Sequence, residues 1–129
     1  MIAIDGKTIC GSGNKQNRPF HVISAFVAEN QITLGELTAE EKSNEITAVP
    51  ELLDLIDVEN AIITADAMSC QKKIAEKIAG KKADYVIGLK GNQPTLLEDV
   101  QLYFKAFNQE IPSYTTLDKG HGRLEKREY

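Results

Sequence analysis

Two aspartates in this sequence each end a short apolar segment, and that pattern can bring carboxylates together. Asp5 ends the segment Ile2–Asp5 (IAID), and Asp66 ends the segment Ala61–Asp66 (AIITAD). If the two segments are neighbouring parallel strands, their carboxyl ends meet at one edge of a sheet, where ligands gather in open α/β folds. We therefore predict that Asp5 and Asp66 lie side by side.

Two adjacent carboxylates repel each other, so either one stays protonated or a cation binds both. Ligand sets made only of oxygen favour Mg²⁺ or Mn²⁺. Two such ions, roughly 3.5–4 Å apart, can activate a water or a 3′-hydroxyl and stabilise the leaving oxygen of a phosphodiester. The sequence thus predicts that Asp5 and Asp66 are metal ligands and catalytic residues. The alternative without chemistry is that Asp5-Gly6 forms a turn and Asp66 caps a helix.

Polar residues after the fifth predicted strand form a candidate substrate-binding segment. Lys90, in LKGNQP, can contact a phosphate of a nucleic acid beside the metals, with Asn92 and Gln93 next to it. The same residues also suit a polar turn and a helix cap. His121 and Arg123, in GHGR, form a second candidate phosphate contact, although a flexible glycine loop is the default interpretation of that stretch.

A third carboxylate would complete a metal site of this kind, and the sequence offers two candidates for it. Glu98 lies on the helix after the fifth strand, where it can also face solvent, and Glu125 lies near the end of the chain. Cys10 and Cys70 lack the spacing of zinc ligands, so we expect buried free thiols.

Apolar periodicity and turn signals predict five strands and three helices. The first helix buries Val49, Leu52 and Leu53, with Pro50 in its first turn. Ser69 caps the second helix and Gly80 ends it. After Phe107 no element is assigned. The predicted strands are Ile2–Asp5, His21–Ala28, Gln31–Glu36, Ala61–Asp66 and Tyr85–Leu89, and the predicted helices are Thr47–Ile56, Cys70–Ala79 and one that enters at Pro94 and buries Leu97, Val100, Phe104 and Phe107.

The order β-β-β-α-β-α-β-α predicts an antiparallel meander followed by parallel crossovers. Right-handed crossovers give a mixed five-stranded α/β sheet in which strands 1–3 are antiparallel, strands 1, 4 and 5 are parallel, and helices lie on the faces. This is a ribonuclease H-like topology. A flavodoxin-like sheet is the competing interpretation, but it would not begin with three strands and no helix.

Composition narrows the class of protein. The 129 residues suit one domain of ordinary hydrophobic content, 42%. No apolar run approaches the ~20 residues of a membrane span, and a cytoplasmic location fits two cysteines without a disulfide framework. The net charge of −4 argues against nucleic-acid binding over the whole surface, but basic residues are concentrated in the second half of the chain, which would meet a polyanion. Both ends look cut, as in a fragment of a longer protein.

Several longer motifs carry a family resemblance. The segments IAIDGKT, HVISAF, EKSNEITAVPELLDLID, ITADAMSCQKKIAEKI, DYVIGLKGNQPTLLEDV and HGRLEKR occur in this order over nearly the whole chain. Together they resemble the bacterial insertion-sequence transposases of the DDE class, in the group that includes the H-repeat-associated proteins. The resemblance implies a ribonuclease H-like core, two Mg²⁺ or Mn²⁺ ions, and cleavage and strand transfer of DNA at transposon ends.

Carried over by motif, Asp5 in IDGKT matches the first catalytic aspartate of that family and Asp66 in TADAM the second. The third acid belongs to a later motif of the HWxIEN kind, which this sequence lacks; Glu125 in HGRLEKR belongs to a different family motif. Residues 1–129 would therefore be a partial catalytic core, truncated at both ends, that folds but does not transpose alone. Its partners would be transposon-end DNA and, in a homo-oligomer, further copies of itself.

Two other functions remain open from the sequence. A phosphohydrolase could use Asp5 of DGKT as nucleophile, although that chemistry usually wants a second aspartate two residues later, where this chain has Lys7. A non-enzymatic remnant or oligomerisation module would instead expose apolar surface that a missing half once covered.

Overall fold

Five strands form the sheet of the first unit of the chain. They run in the order β3-β2-β1-β4-β5, with β1, β2 and β3 antiparallel and β1, β4 and β5 parallel. The prediction of a ribonuclease H-like mixed sheet is confirmed. The strands are β1 Ile2–Thr8, β2 His21–Val27, β3 Ile32–Ala39, β4 Ile62–Ala65 and β5 Asp84–Ile87, and the helices of this unit are α1 Glu45–Leu55 and α2 Lys72–Gly80.

A second unit follows, built from one helix and a two-stranded hairpin. Its helix α3 spans Pro94–Phe107, and β6 Thr115–Gly120 pairs antiparallel with β7 Arg123–Glu128. In this computed structural model the units divide at Gln93, giving Met1–Gln93 and Pro94–Tyr129. The structure describes residues 1–14, 19–39, 45–107, 110, 112–120 and 122–128.

The core of the first unit lies between one face of the sheet and the two helices α1 and α2. Strand residues alternate between the two faces, so Ile2 and Ile4 of β1 point into the core while Asp5 is exposed. β3 approaches α1 closely at Gly35, where a Cβ would lie 3.2 Å from Ile56 Cγ2 and 3.3 Å from Leu52 Cδ1. The buried apolar side chains of this cluster are Ile2, Ile4, Ile23, Ala25, Ala39, Ala48, Val49, Leu52, Leu53, Ile56, Val58, Ile63, Ile74, Ile78 and Ala83.

Two lysines join α2 to the carboxyl-terminal end of α1, which has no basic residue of its own in its last turn. Lys81 donates through Nζ to the carbonyl oxygens of Leu53 and Ile56, and such a cation satisfies carbonyls that a helix end leaves unpaired. Lys77 Nζ lies 2.5 Å from Asp54 Oδ2. The hydrogen bond from Lys77 lowers the pKa of Asp54.

Several predicted boundaries were wrong. α1 begins at Glu45, which puts Pro50 inside the helix instead of in its first turn. α2 begins at Lys72 after Gln71, so Ser69 does not cap it; Ser69 lies in a 3-10 turn, Ala67–Ser69. Side-chain and tertiary contacts, which periodicity does not report, decide these ends.

Burial was also predicted incorrectly at two places. The apolar spacing correctly indicated α3, but no side chain of that helix is buried, and Phe104 and Phe107 are exposed. Cys10 is an exposed thiol and Cys70 a half-buried one, instead of two buried ones. A helical period indicates which residues share a face, whereas tertiary packing decides whether that face is covered.

Within the described residues, no helix is both long and apolar enough to span a membrane.

Candidate active site

The register of β1 and β4 puts Asp5 and Asp66 next to each other. The two parallel strands pair Ile2 with Ile63 and Ile4 with Ala65, so the next position in register joins Asp5 to Asp66. The backbone of Asp66 is still extended, with φ −73° and ψ 177°, which continues the line of the strand. Neighbouring strands lie about 4.8 Å apart, a separation at which two carboxylates can share one cation.

Both carboxylates are exposed, and both belong to the sheet face that α1 and α2 do not cover. Ile4 and Ala65 point into the core, and alternation turns the following residue of each strand to the opposite face. Oδ1 of Asp66 accepts a hydrogen bond of 2.9 Å from the backbone amide of Met68. This bond makes Asp66 the cap of the 3-10 turn, as the alternative without chemistry predicted, and it also fixes the orientation of the carboxylate.

A surface groove of about 350 Å³ lies beside Asp66. Lys90 is exposed and lines this groove together with Asp66. Contact of Lys90 with a phosphate beside the aspartates stays a prediction. The groove is lined by Ile46, Asp66, Ala67, Met68, Gln71, Lys90 and Asn92.

Asn92 and Gln93 hold the loop that follows Asp66. Asn92 donates through Nδ2 to the carbonyl oxygen of Ala67 at 2.7 Å, and Gln93 donates through Nε2 to that of Cys70 at 2.8 Å. These two hydrogen bonds attach the polar segment after β5 to the turn that begins at Asp66. Contact of these two amides with substrate stays a prediction, while their part in supporting the Asp66 turn is visible.

We expect Asn92→Ala to destabilise the chain by about 1 kcal/mol, because the partly buried Ala67 carbonyl loses one of its two donors, the other being the Cys70 amide. Equilibrium unfolding in urea measures this difference. Gln101→Ala, which removes an exposed amide from α3, is the control and should change the free energy of unfolding by less than about 0.5 kcal/mol. Equal effects of the two substitutions would contradict the proposed support of the Asp66 turn.

A buried histidine–glutamate pair lies directly beneath the residue after Asp5. His21 of β2 is 2% exposed and Glu45 of α1 is 7% exposed, and their side chains form a hydrogen bond between Nε2 and Oε1. His21 Nδ1 lies 3.0 Å from Thr8 Oγ1. This pair was not predicted from the sequence, although the inward alternation of His21 with Ile23 and Ala25 predicts a buried imidazole, and a buried imidazole needs a hydrogen-bond partner.

The remaining candidate residues belong to the second unit or lie outside the described residues. Arg123 begins β7 as an exposed residue, and His121 falls outside the described part of the chain. Of the two candidate third acids, Glu98 is exposed on α3, and Glu125 is paired with Arg127 at 2.6 Å. A role of these residues beside Asp5 and Asp66 stays a prediction.

The two carboxylates at the carboxyl ends of β1 and β4 suit a hard divalent ion. Mg²⁺ keeps several waters and commonly binds through one or two carboxylates together with substrate phosphates, and the edge offers two exposed carboxylates. Among residues the structure describes, no cluster of three or more His, Cys, Asp or Glu side chains can hold a metal. The fit is thus to a cation held by Asp5 and Asp66 and completed by water or phosphate.

Comparison with known proteins places the chain among transposases. The profile of the family described as "Transposase DDE domain" matches residues 1–128. "Putative transposase YncI" of Escherichia coli O157:H7 is 49% identical over 98% of this chain and 34% of its own length. "H repeat-associated putative transposase YbfD" of Escherichia coli K12 is 43% identical over 98% of this chain and 52% of its own length. The chain thus spans between about a third and a half of these relatives.

A solved structure agrees at the level of the fold. A piggyBac transposase, determined in a synaptic complex with hairpin DNA, superposes with a TM-score of 0.57 at 12% identity, covering 91% of this chain and 28% of that one. At this identity the likeness supports the ribonuclease H-like sheet and nothing finer. The family match extends over essentially the whole sequence, and this chain therefore belongs to the family of transposase DDE domains.

Proposed function

We propose that this chain carries the first two metal-binding acids of an insertion-sequence transposase, which cleaves transposon ends and transfers DNA strands in the cytoplasm of a bacterium. The observation that carries the proposal is the register of β1 and β4, which sets Asp5 beside Asp66 at the carboxyl edge of a parallel pair. Family membership supports the same assignment, because the matched segment includes both aspartates.

The proposed ligands of Mg²⁺ or Mn²⁺ are the carboxylates of Asp5 and Asp66. When bound, the ions would activate a water or 3′-hydroxyl and stabilise the leaving oxygen of a phosphodiester. The chain's own part is to hold the two acids in place. Continuous pairing on β1 positions Asp5, and the Met68 amide together with the loop bonds of Asn92 and Gln93 positions Asp66.

DNA is the proposed partner, and Lys90 is its proposed first contact beside the metal site. Its ammonium group is exposed in the groove that contains Asp66, and a point charge of this kind binds a phosphate without reading base sequence. Arg123, with His121 from outside the described residues, is proposed as a second phosphate contact. These contacts would position the backbone of a transposon end; assembly of several copies on two ends is part of the same proposal.

Nuclear magnetic resonance with Mn²⁺ tests the metal site directly. In the ¹⁵N-labelled chain, a substoichiometric amount of Mn²⁺ should broaden the amide signals of Asp5, Gly6, Asp66 and Ala67 first. Excess Mg²⁺ should restore them by competition. Asp84 serves as internal control, because it is an exposed aspartate at the opposite, amino end of the parallel strands. Broadening confined to Asp84, to α1 or to the β6–β7 hairpin would overturn the assignment.

A second assay addresses the chemistry. With Mn²⁺ and a transposon-end duplex, we expect the chain to bind metal without efficient strand transfer, since its sequence lacks the HWxIEN-type motif to which the third acid of the family belongs. Efficient strand transfer by the chain alone would show that a third acid, such as Glu98 or Glu125, does join the pair. Hydrolysis of a small phosphate ester would instead favour the phosphohydrolase interpretation.

A further inference from the structure

We propose that the hydrogen bond between His21 and Glu45 is a positioning device for the metal site, which holds β1 so that Asp5 stays in register with Asp66. The inference rests on the proposed metal-binding function of those aspartates. His21 and Glu45 touch neither carboxylate, and their role is to fix the backbone that carries the first one.

The pair lies against the peptide next to the metal ligand. A Cβ built on Gly6 would come 2.5 Å from Glu45 Oε1 and 2.7 Å from His21 Nε2. The two atoms of the hydrogen bond therefore fill the space beneath Gly6, one residue beyond Asp5. Only glycine leaves room for this contact, since real Cβ atoms do not approach other atoms so closely. The backbone at Asp5-Gly6 thus rests on the His21–Glu45 pair.

The pair also connects three elements at this edge of the sheet. Thr8 pairs with His21 across β1 and β2, and its Oγ1 lies 3.0 Å from His21 Nδ1. Glu45 is the first residue of α1, and Ile46, which follows it, lines the groove beside Asp66. The chain of contacts from Thr8 through His21 to Glu45 therefore fixes the end of β1 against the start of α1 and the groove wall.

Hydrogen-bond chemistry defines what each partner must supply. The Nε2–H of His21 can donate to a side-chain oxygen of Glu45, and Nδ1 of the same ring lies within hydrogen-bond distance of the Thr8 hydroxyl. A glutamine at position 45 can still accept the Nε2–H through its side-chain oxygen, whereas an alanine leaves a buried donor unpaired. Glu45→Gln and Glu45→Ala therefore separate the loss of the charge from the loss of the hydrogen bond.

The first readout is Mn²⁺ affinity measured by calorimetry. Removal of a group that orients a metal ligand typically weakens metal binding by about 10- to 100-fold. Because Glu45 acts through the backbone, we expect Glu45→Ala to weaken Mn²⁺ binding by about tenfold. Glu45→Gln should recover most of the affinity. Gly6→Ala should weaken binding to a similar degree, because its Cβ separates the pair. Gly91→Ala, at a glycine with open space around its Cβ position, should leave the affinity unchanged.

The second readout needs no metal. Amide hydrogen exchange over Ile2–Thr8 should become about tenfold faster in Glu45→Ala and return to the wild-type rate in Glu45→Gln. Val58→Ala is the control for general destabilisation, since Val58 is 1% exposed and precedes β4, at the end of the sheet opposite the aspartates. It should lower the unfolding midpoint without changing either readout selectively.

These readouts distinguish failure of the inference from failure of the proposed function. If Val58→Ala changes exchange and affinity as much as Glu45→Ala does at equal loss of stability, the pair is merely structural and the inference is overturned. The same conclusion follows if Glu45→Gln fails to recover the exchange rate. If the wild-type chain does not bind Mn²⁺ but exchange responds as expected, positioning of β1 stands and the metal assignment is wrong.

Discussion

Asp5→Asn and Asp66→Asn should each weaken Mn²⁺ binding at least tenfold, a loss of about 1.4 kcal/mol or more in binding free energy. Each substitution removes one of the two proposed anionic ligands, which follow the paired residues Ile4 and Ala65 of β1 and β4. Asparagine is the appropriate replacement, because it caps a helical turn as well as aspartate does and can still accept the hydrogen bond from Met68. The turn after position 66 is therefore preserved while the charge is lost.

Stability without metal should respond in the opposite direction. In the absence of a cation the two carboxylates repel each other, so either substitution should leave the unfolding midpoint unchanged or raise it slightly. Added Mn²⁺ should raise the midpoint of the wild-type chain, since a ligand that binds only the folded state stabilises it, and should do so much less in the variants.

Calorimetric titration and thermal unfolding with and without chelator measure both effects. Asp84→Asn is the matched control, because it removes an exposed aspartate from the neighbouring strand at the other end of the parallel pair. It should bind Mn²⁺ as the wild type does. If Asp84→Asn is as defective as Asp5→Asn, the chain binds the cation through its general negative charge and has no specific site.

Leu52→Ala should lower the free energy of unfolding by about 2–5 kcal/mol, the range of large-to-small substitutions in well-packed cores. Leu52 is 0% exposed, and its Cδ1 packs where Gly35 lets β3 approach α1. Because a domain of this size has a total stability of about 5–15 kcal/mol, the substitution removes a large share of it.

Leu55→Ala, made in the same helix, is the control. Leu55 is 68% exposed, and its replacement should change the free energy of unfolding by no more than about 0.5 kcal/mol. Urea denaturation followed by circular dichroism gives both values. Similar losses for the two leucines would mean that α1 does not present the face toward the sheet that the structure describes.

The sheet was predictable because its strands carry their pattern locally. The continuous apolar segment before Asp66 is typical of a strand in a parallel sheet whose two faces are covered. The alternation along β2 and β3 indicated an antiparallel meander. Because crossovers between parallel strands are right-handed, only a few topologies fitted this order of strands and helices. For the same reason the adjacency of Asp5 and Asp66 could be predicted from two sequence segments and a rule about strand ends.

The hairpin of β6 and β7 could not be predicted in this way. Arg123–Glu128 reads RLEKRE, with one apolar residue among six, so the period of two on which strand prediction depends is absent. Thr115–Gly120 is similarly polar. Pairing between these segments gives the strands their regularity, and pairing depends on two segments together, so the pattern of either one alone does not report it.

The His21–Glu45 pair was missed for a related reason. Glu45 ends an acidic stretch whose composition indicates a solvated surface, and only the entry of α1 over the end of β1 buries it. A glutamate in such surroundings carries no local signal that it will face a histidine. The inward position of His21 on β2 indicated a buried imidazole. Its partner Glu45 lies in α1, and the predicted start of that helix, Thr47, was two residues too late.

The contact of Lys81 with the end of α1 affects how the first unit unfolds. Carbonyls at that end receive their cation from Lys81, which follows α2, so the end of α1 is completed only when α2 is in place. Loss of α2 from the sheet would uncap α1 at the same moment and leave its dipole uncompensated. We therefore expect the segment from α1 through α2 to open as one cooperative unit, in which the two helices share a single opening free energy.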